Sequence, residues 1–233
     1  MSQQFNKIGL LDHGYVQLVE VYGSDERVIE AARMSTDKGF QGWDSDAKLL
    51  AYLYNNKHST PFEMAGAIIE VKAPLFVFRE WHRHRTQSYN EMSARYVPLP
   101  DENYCPVASD ILKRAESASS NKQARGITER VPTLREVSNW LHFLENSYRH
   151  AQQVYEQGLA LGIPKELARL PVPVARYSKM RAAANLRNWL GFLTLRQDPK
   201  AQQEIRVYAD AVAQLLQQHF PRTMKLYNCS TRP

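Results

Sequence analysis

Cysteine is nearly absent: Cys105 and Cys229 are the only two in 233 residues, far apart and outside any Cys-x-x-Cys or Cys/His ligand spacing. A disulfide framework and a sequence-encoded zinc site are thereby disfavoured, and both thiols are expected to be free. Long apolar runs are missing too. Residues 1–10 are polar apart from Phe5, Ile8 and Leu10, and nothing approaches the ~20 residues that span a bilayer. The expected compartment is the cytoplasm, without a membrane partner. Glycine is not arranged to cradle phosphate: no Gly-x-Gly-x-x-Gly follows a strand pattern and no Gly-x-x-x-x-Gly-Lys-Ser/Thr occurs. A Rossmann dinucleotide site and a P-loop are excluded, so any phosphate has to be held by side chains. No repeat and no long linker divides the chain, and 43% hydrophobic content suits one domain, residues 1–233, with a single core.

What the chain has is positive charge. Thirty Lys and Arg against 24 Asp and Glu leave a formal +6, which points to an anionic partner: nucleic acid, a nucleotide or a phosphorylated cofactor. The densest cluster runs from Arg83 to Tyr96 and combines Arg83, His84, Arg85, Ser88, Asn90, Glu91, Ser93 and Arg95. Guanidinium groups are permanent planar cations whose forked donors match phosphate, and the hydroxyls and amide add neutral partners. Such a run is ordinarily a wet surface loop. Its flank argues for a site, because residues 73–82 are strongly apolar with Pro74 at a first helical turn, the pattern of a buried helix. The cations follow that helix's C-terminal end, where its dipole favours them and a rigid element aims them.

The remaining pattern predicts strands over 15–22 and 67–73, and a less distinct one over 175–184 with Tyr177, Lys179 and Arg181 on one face. Helices are expected from Ser24 or Asp25 to Met34 with Val28, Ala31 and Ala32 inward, and after Asp44-Ser45-Asp46 to about residue 56. Further helices are expected from the Thr133/Glu136 capping box to about 158–162, over 164–169, over 185–196 capped by Asn185, and from Asp198-Pro199 onward. The long helix carries a regular seam (Leu134, Val137, Leu141, Leu144, Tyr148, Ala151, Tyr155) that suits either the core or a subunit interface. The polar segment 117–126 reads as a lid or a loose insertion.

Arg83-His84-Arg85, followed after seven residues by Ser93, resembles the signature of the flavin-dependent thymidylate synthases. Ser88-Tyr89-Asn90-Glu91 and Ser93-x-Arg95-Tyr96 resemble the same pattern, as do His58-x-Thr60-Pro61-Phe62-Glu63, residues 166–171, Asn185-Leu186-Arg187 and Thr194-Leu195-Arg196. Residues 170–184 match less well, which leaves Arg176 and Arg181 unassigned. The resemblance implies an α+β fold, a single domain with a small, mainly antiparallel sheet flanked by long helices, assembled as a homotetramer with shared active sites. It implies conversion of dUMP to dTMP, with methylenetetrahydrofolate as one-carbon donor and FAD, reduced by NADPH, as hydride source.

Carried over residue by residue, Arg83, His84 and Arg85 would face FAD, with Ser35, His58, Asn185 and Arg187 also contacting it. Glu91 would fix the nucleotide or neighbouring cations, and Glu80 would lie near dUMP. Arg169 and Arg196 would hold the substrate phosphate and base, and Arg95 with Arg196 would meet the anion and the charge developing on uracil. His58 and Glu63, flanking one turn, both become expected site residues. Ser93 lacks a local general base other than Glu91, so it is expected to position dUMP and not to attack it.

Three competing readings are weaker. Cys105, checked because the classical thymidylate synthases use a cysteine nucleophile, has no neighbour in sequence that would lower its pKa. A metal hydrolase built on His82-x-His84 fails because the two side chains diverge on a helix and no third ligand is evident. A basic nucleic-acid-binding module would use the same arginines and would show strongly salt-dependent binding.

Overall fold

The computed structural model describes residues 7–117 and 130–231. In chain order the elements are β1 (Lys7–Leu10), β2 (Gly14–Tyr22), α1 (Asp25–Arg33), α2 (Trp43–Asn55), β3 (Gly66–Pro74), α3 (Leu75–Trp81), β4 (Ser88–Glu91), α4 (Ala108–Ser117), α5 (Leu134–Ala160), α6 (Lys165–Ala168), β5 (Tyr177–Asn185), α7 (Leu186–Arg196), α8 (Gln203–His219) and α9 (Pro221–Thr231). The class is α+β: one antiparallel five-stranded sheet, order β1-β2-β3-β5-β4, packed with helices. Among the described residues no helix is long and apolar enough to cross a membrane.

Alternation builds the sheet's buried face. Ala67, Ile69, Val71 and Ala73 of β3 and Met180, Ala182 and Ala184 of β5 point into a core completed by Trp81, Trp189, Phe192, Tyr208, Val212 and Leu216. Trp81 of α3 packs against Phe192 of α7 with ring centroids 4.5 Å apart. The Tyr208 hydroxyl donates to the carbonyl of Lys72 at 2.8 Å and lies so close to Gly14 that a Cβ there would overlap it. This is why β2 opens on glycine.

The register places the site. β5 pairs with β3 on one edge (Gly66↔Asn185 through Pro74↔Tyr177) and with β4 on the other (Ser88↔Ala183 through Glu91↔Met180). The arginine cluster near residue 90 is thereby laid beside the C-terminal strand and helix, although they are remote in sequence.

Several expectations change. Residues 88–91 are not loop but an edge strand, and β1, α4 and α9 were not foreseen. Pro74 closes β3 and precedes the first turn of α3 instead of lying inside it. The helix expected from Asp198 begins at Gln203, because Asp198 uses its carboxylate to hold the Lys200 amide in a turn. In α1 the fully buried residues are Asp25, Val28 and Ile29, while Ala31 and Ala32 are only half-buried. Of the α5 seam, Val137 and Tyr155 are buried and Leu141, Leu144, Tyr148 and Ala151 half-buried, but Leu134, in the first turn, is exposed, and Trp140 and Phe143 face outward. The segment 117–126 lies, beyond Ser117, outside the described residues.

Candidate active site

The expected site residues fall into three groups. The first surrounds Arg196, in the last turn of α7. Its Nε donates to His84 Nε2 at 2.9 Å, Nη1 to the Glu80 carboxylate at 2.8 Å and Nη2 to the Glu80 carbonyl at 2.7 Å. Because Arg cannot accept, His84 Nε2 must be the bare nitrogen, and the ring is a neutral Nδ1–H tautomer. Burial pushes the His84 pKa down, and the adjacent Arg196 cation adds to this against the smaller opposing pull of Glu80. The result is about 4.

The backbone around His84 is fastened from both sides. Tyr89 donates to the carbonyls of His84 (2.7 Å) and Trp81 (3.1 Å), and Asn188 of α7 donates to that of Thr86 at 3.2 Å. Burial raises the Tyr89 pKa to about 12, so it remains a donor. Arg83 and Arg85 are exposed, and neither has an ion-pair partner among the described residues.

The second group lines a cleft of about 550 Å³ and includes Glu91, Ser93, Arg169 and Ser178 among apolar neighbours such as Leu75 and Val172. Ser93 Oγ accepts from the Arg95 amide at 3.3 Å, and no carboxylate or imidazole is hydrogen-bonded to it among the described residues. That geometry supplies no base for a serine nucleophile. Arg95 is exposed and pairs with Glu166 at 3.0 Å, a surface pair of small energetic value. Lys165 also reaches the Tyr96 carbonyl at 2.9 Å, so α6 clasps the end of the cluster.

The third group lines a cleft of about 510 Å³ with Tyr54, Lys57, His58, Ser59, Phe62 and Arg187. Arg187 is paired with Glu63 of the neighbouring turn. Asn185 caps α7 through its carbonyl oxygen, which accepts from the Asn188 amide at 2.9 Å, leaving its NH₂ as the group free to meet a ligand. Arg187 and Arg196 lie at opposite ends of α7, ~14 Å apart along its axis at 1.5 Å per residue. Ser35 lines neither cleft; it sits exposed on a 3₁₀ turn and donates to the Ala32 carbonyl at 3.3 Å.

Residues left open by the sequence now have places. Arg176 is fully buried and structural: it donates to Asn103 at 3.0 Å, the Pro100 carbonyl at 2.7 Å and Gln152 at 2.8 Å, and pairs with Asp101 at 3.2 Å. Arg181 is exposed and pairs with Glu70 at 3.3 Å. Burial, with Glu145 and Asp12 nearby, pushes the Cys105 thiol up, which makes it a poor nucleophile. His82 packs edge-on against Tyr89 while His84 is committed to Arg196, so the two do not converge on a metal. No role was foreseen for Tyr89, Asn188 or Ser178: Tyr89 lies inside the quoted motif and acts on carbonyls five and eight residues away, Asn188 reaches Thr86 across 102 positions, and Ser178 stands in no motif.

An antiparallel sheet packed with helices, one of which (α7) carries Arg187 at one end and the fixed Arg196 at the other, with no glycine phosphate loop in the sequence, defines the class: an α+β protein that presents arginine side chains to anions. Within that class the chain belongs to the family described as thymidylate synthase complementing protein, whose profile matches residues 17–222. It is 39% identical over 225 residues to the flavin-dependent thymidylate synthase of Gluconobacter oxydans, covering 94% of this chain and 71% of that protein. It is 36% identical over 218 residues to the flavin-dependent thymidylate synthase of Thermosipho melanesiensis, covering 94% of this chain and 92% of that one. Among solved structures it resembles a UMP/dUMP methylase, PolB from Streptomyces cacaoi bound with 5-Br dUMP. That match has a TM-score of 0.80 and 30% identity, covering 95% of this chain and 97% of that one.

Proposed function

We propose that this protein is a flavin-dependent thymidylate synthase acting across the whole chain as one catalytic domain. It methylates dUMP reductively to dTMP, with 5,10-methylenetetrahydrofolate as one-carbon donor and NADPH-reduced FAD. The observation that carries the proposal is the three-point hold on Arg196 by His84 and Glu80, which ties the Arg-His-Arg motif to the C-terminal arginine block. The PolB and synthase relatives support it, and none of the relatives named above favours the nucleic-acid-binding alternative.

The donor set fits a flavin dinucleotide. Lys57, His58, Ser59 and Arg187 offer phosphate partners beside the apolar surface of Tyr54, Phe62 and Leu190, in a chain that lacks a glycine-rich cradle. When bound, FAD supplies the hydride. Arg196, fixed by three of its five N–H donors, keeps the others for negative charge developing on the uracil, with no reorganisation at the moment of reaction. Arg169 takes the nucleotide phosphate, with Arg95 close by at the rim once it exchanges Glu166 for the ligand. Ser93 positions dUMP by hydrogen bonds, and Glu91 and Glu80 orient polar edges. Arg83, His84 and Arg85 face the flavin, joined by Asn185 through its NH₂. Ser35, on its exposed turn, would reach the cofactor from outside the two clefts.

The assembly we propose is a homotetramer with active sites shared between subunits. Support comes from the separation of the Ser93/Arg169 and His58/Arg187 clefts within one protomer and from the exposure of Arg83 and Arg85. The proposed compartment is the cytoplasm, which suits the free thiols of Cys105 and Cys229.

The test is direct. The purified protein should absorb near ~450 nm, bleach under NADPH and form dTMP only when dUMP and methylenetetrahydrofolate are both present. A colourless protein that binds RNA or DNA with steep salt dependence would instead favour the nucleic-acid module. Ser93→Ala is expected to raise the KM for dUMP roughly tenfold with flavin reduction intact; loss of all turnover with dUMP binding unchanged would make Ser93 a nucleophile after all.

A further inference from the structure

We propose that Ser178 is an additional substrate-contacting residue, its hydroxyl donating to the phosphoryl group of a nucleoside monophosphate held in the Ser93/Arg169 cleft. This rests on the function proposed above.

The core-facing row of β5 reads Ser178, Met180, Ala182, Ala184, three apolar side chains and one hydroxyl. Ser178 is 1% exposed, and its Oγ has no hydrogen-bond partner among the described residues. Its neighbours offer none: on β3 it faces Ala73, and beyond it the strand ends at Pro74. On the other side the Met92 amide donates to the carbonyl of Lys179, not to the serine. A buried hydroxyl left unpaired is costly, and at such a position an alanine would serve the fold as well or better. Ser178 does, however, line the cleft that also holds Glu91, Ser93 and Arg169, so a buried, unpaired hydroxyl belongs to a residue of that cleft's wall.

That cleft is mostly apolar, with a few convergent polar groups, the usual make-up of a small-molecule site. Arg169 is its cation, and Ser178 and Ser93 are its hydroxyl donors. One guanidinium and two hydroxyls suit a phosphoryl group, whose oxygens accept several donors at once. Glu91, an acceptor, is left to the sugar or base.

The measurement is titration of the flavin-loaded protein, wild type and Ser178→Ala, with dUMP and separately with 2′-deoxyuridine. Ser178→Ala is expected to weaken dUMP binding roughly tenfold, which is ~1.4 kcal/mol, while leaving deoxyuridine affinity and flavin content unchanged. Its melting temperature without nucleotide is expected to equal or exceed that of wild type, since the orphaned hydroxyl is gone. Ser178→Thr, which keeps the donor, should stay within about threefold of wild type for dUMP. Unchanged dUMP affinity in Ser178→Ala overturns the proposal, as does an equal loss for dUMP and deoxyuridine. A wild-type protein that binds no dUMP overturns the thymidylate synthase assignment itself, and this proposal with it.

Discussion

At His84 the nitrogen that accepts from Arg196 is the one a proton would occupy on acidification, so the ring and the guanidinium cannot both be cations in this arrangement. The folded-state pKa, about 4, lies below the ordinary 6.5. Between those values the unfolded chain binds a proton that the folded chain refuses, and stability therefore rises with pH. The contribution is complete above about pH 6.5 and disappears as pH falls through about 4. The urea midpoint is accordingly expected to fall between pH 7 and pH 4. His84→Gln, whose amide oxygen can accept from Arg196 without titrating, should show a shallower fall across that window. An identical slope in the two proteins would remove His84 from the acid response.

Among the elements, α7 carries the most responsibility, because one end bears Arg187, the other Arg196, and its middle buries Trp189, Phe192 and Leu193. Its start depends on a local bond from Asn185. Asn185→Ala is expected to cost ~1 kcal/mol, seen as a fall of about 2–4 °C in melting temperature, and to weaken flavin retention as well. A stability loss with full flavin occupancy would confine Asn185 to capping.

Such caps were legible in the sequence. Asn185 and the Thr133/Glu136 box act within three residues, and the structure has both. The strands β2 and β3 were legible because their alternation is dense in β-branched and aromatic residues. β4 was not: four polar residues at a sheet edge form a strand only because Ala183 to Met180 offer them backbone partners. The same non-local logic hid Arg176, which looks like any other cation until Asn103, Pro100 and Gln152 surround it. The Arg83 to Arg95 cluster was recognisable as a candidate site, but its division between the Arg196 group and the Ser93/Arg169 cleft depends on where β5 and α7 lie.

For the whole molecule, the proposed sharing of active sites between subunits makes a distinctive demand. Arg169→Ala and Arg196→Ala should each be nearly inactive alone. If the two groups they belong to meet across a subunit boundary, unfolding and co-refolding the pair should restore activity in roughly a quarter of the sites under random assortment. No recovery above the separate variants would place each complete site inside one protomer. The outward Trp140 and Phe143 of α5 are apolar surface of the kind that subunit contacts cover.

The pairing of β4 with β5 also governs the order in which the chain can mature during synthesis. The partner strand is translated on the order of 90 positions after the motif, several seconds later at typical ribosomal speeds. Throughout that interval Ser88–Glu91, just after the Arg-His-Arg segment, lacks the strand it pairs with. A nascent chain arrested before Tyr177 would therefore carry every residue of the signature and yet be unable to assemble it, so catalytic competence arrives late and all at once, with the final quarter of the polypeptide.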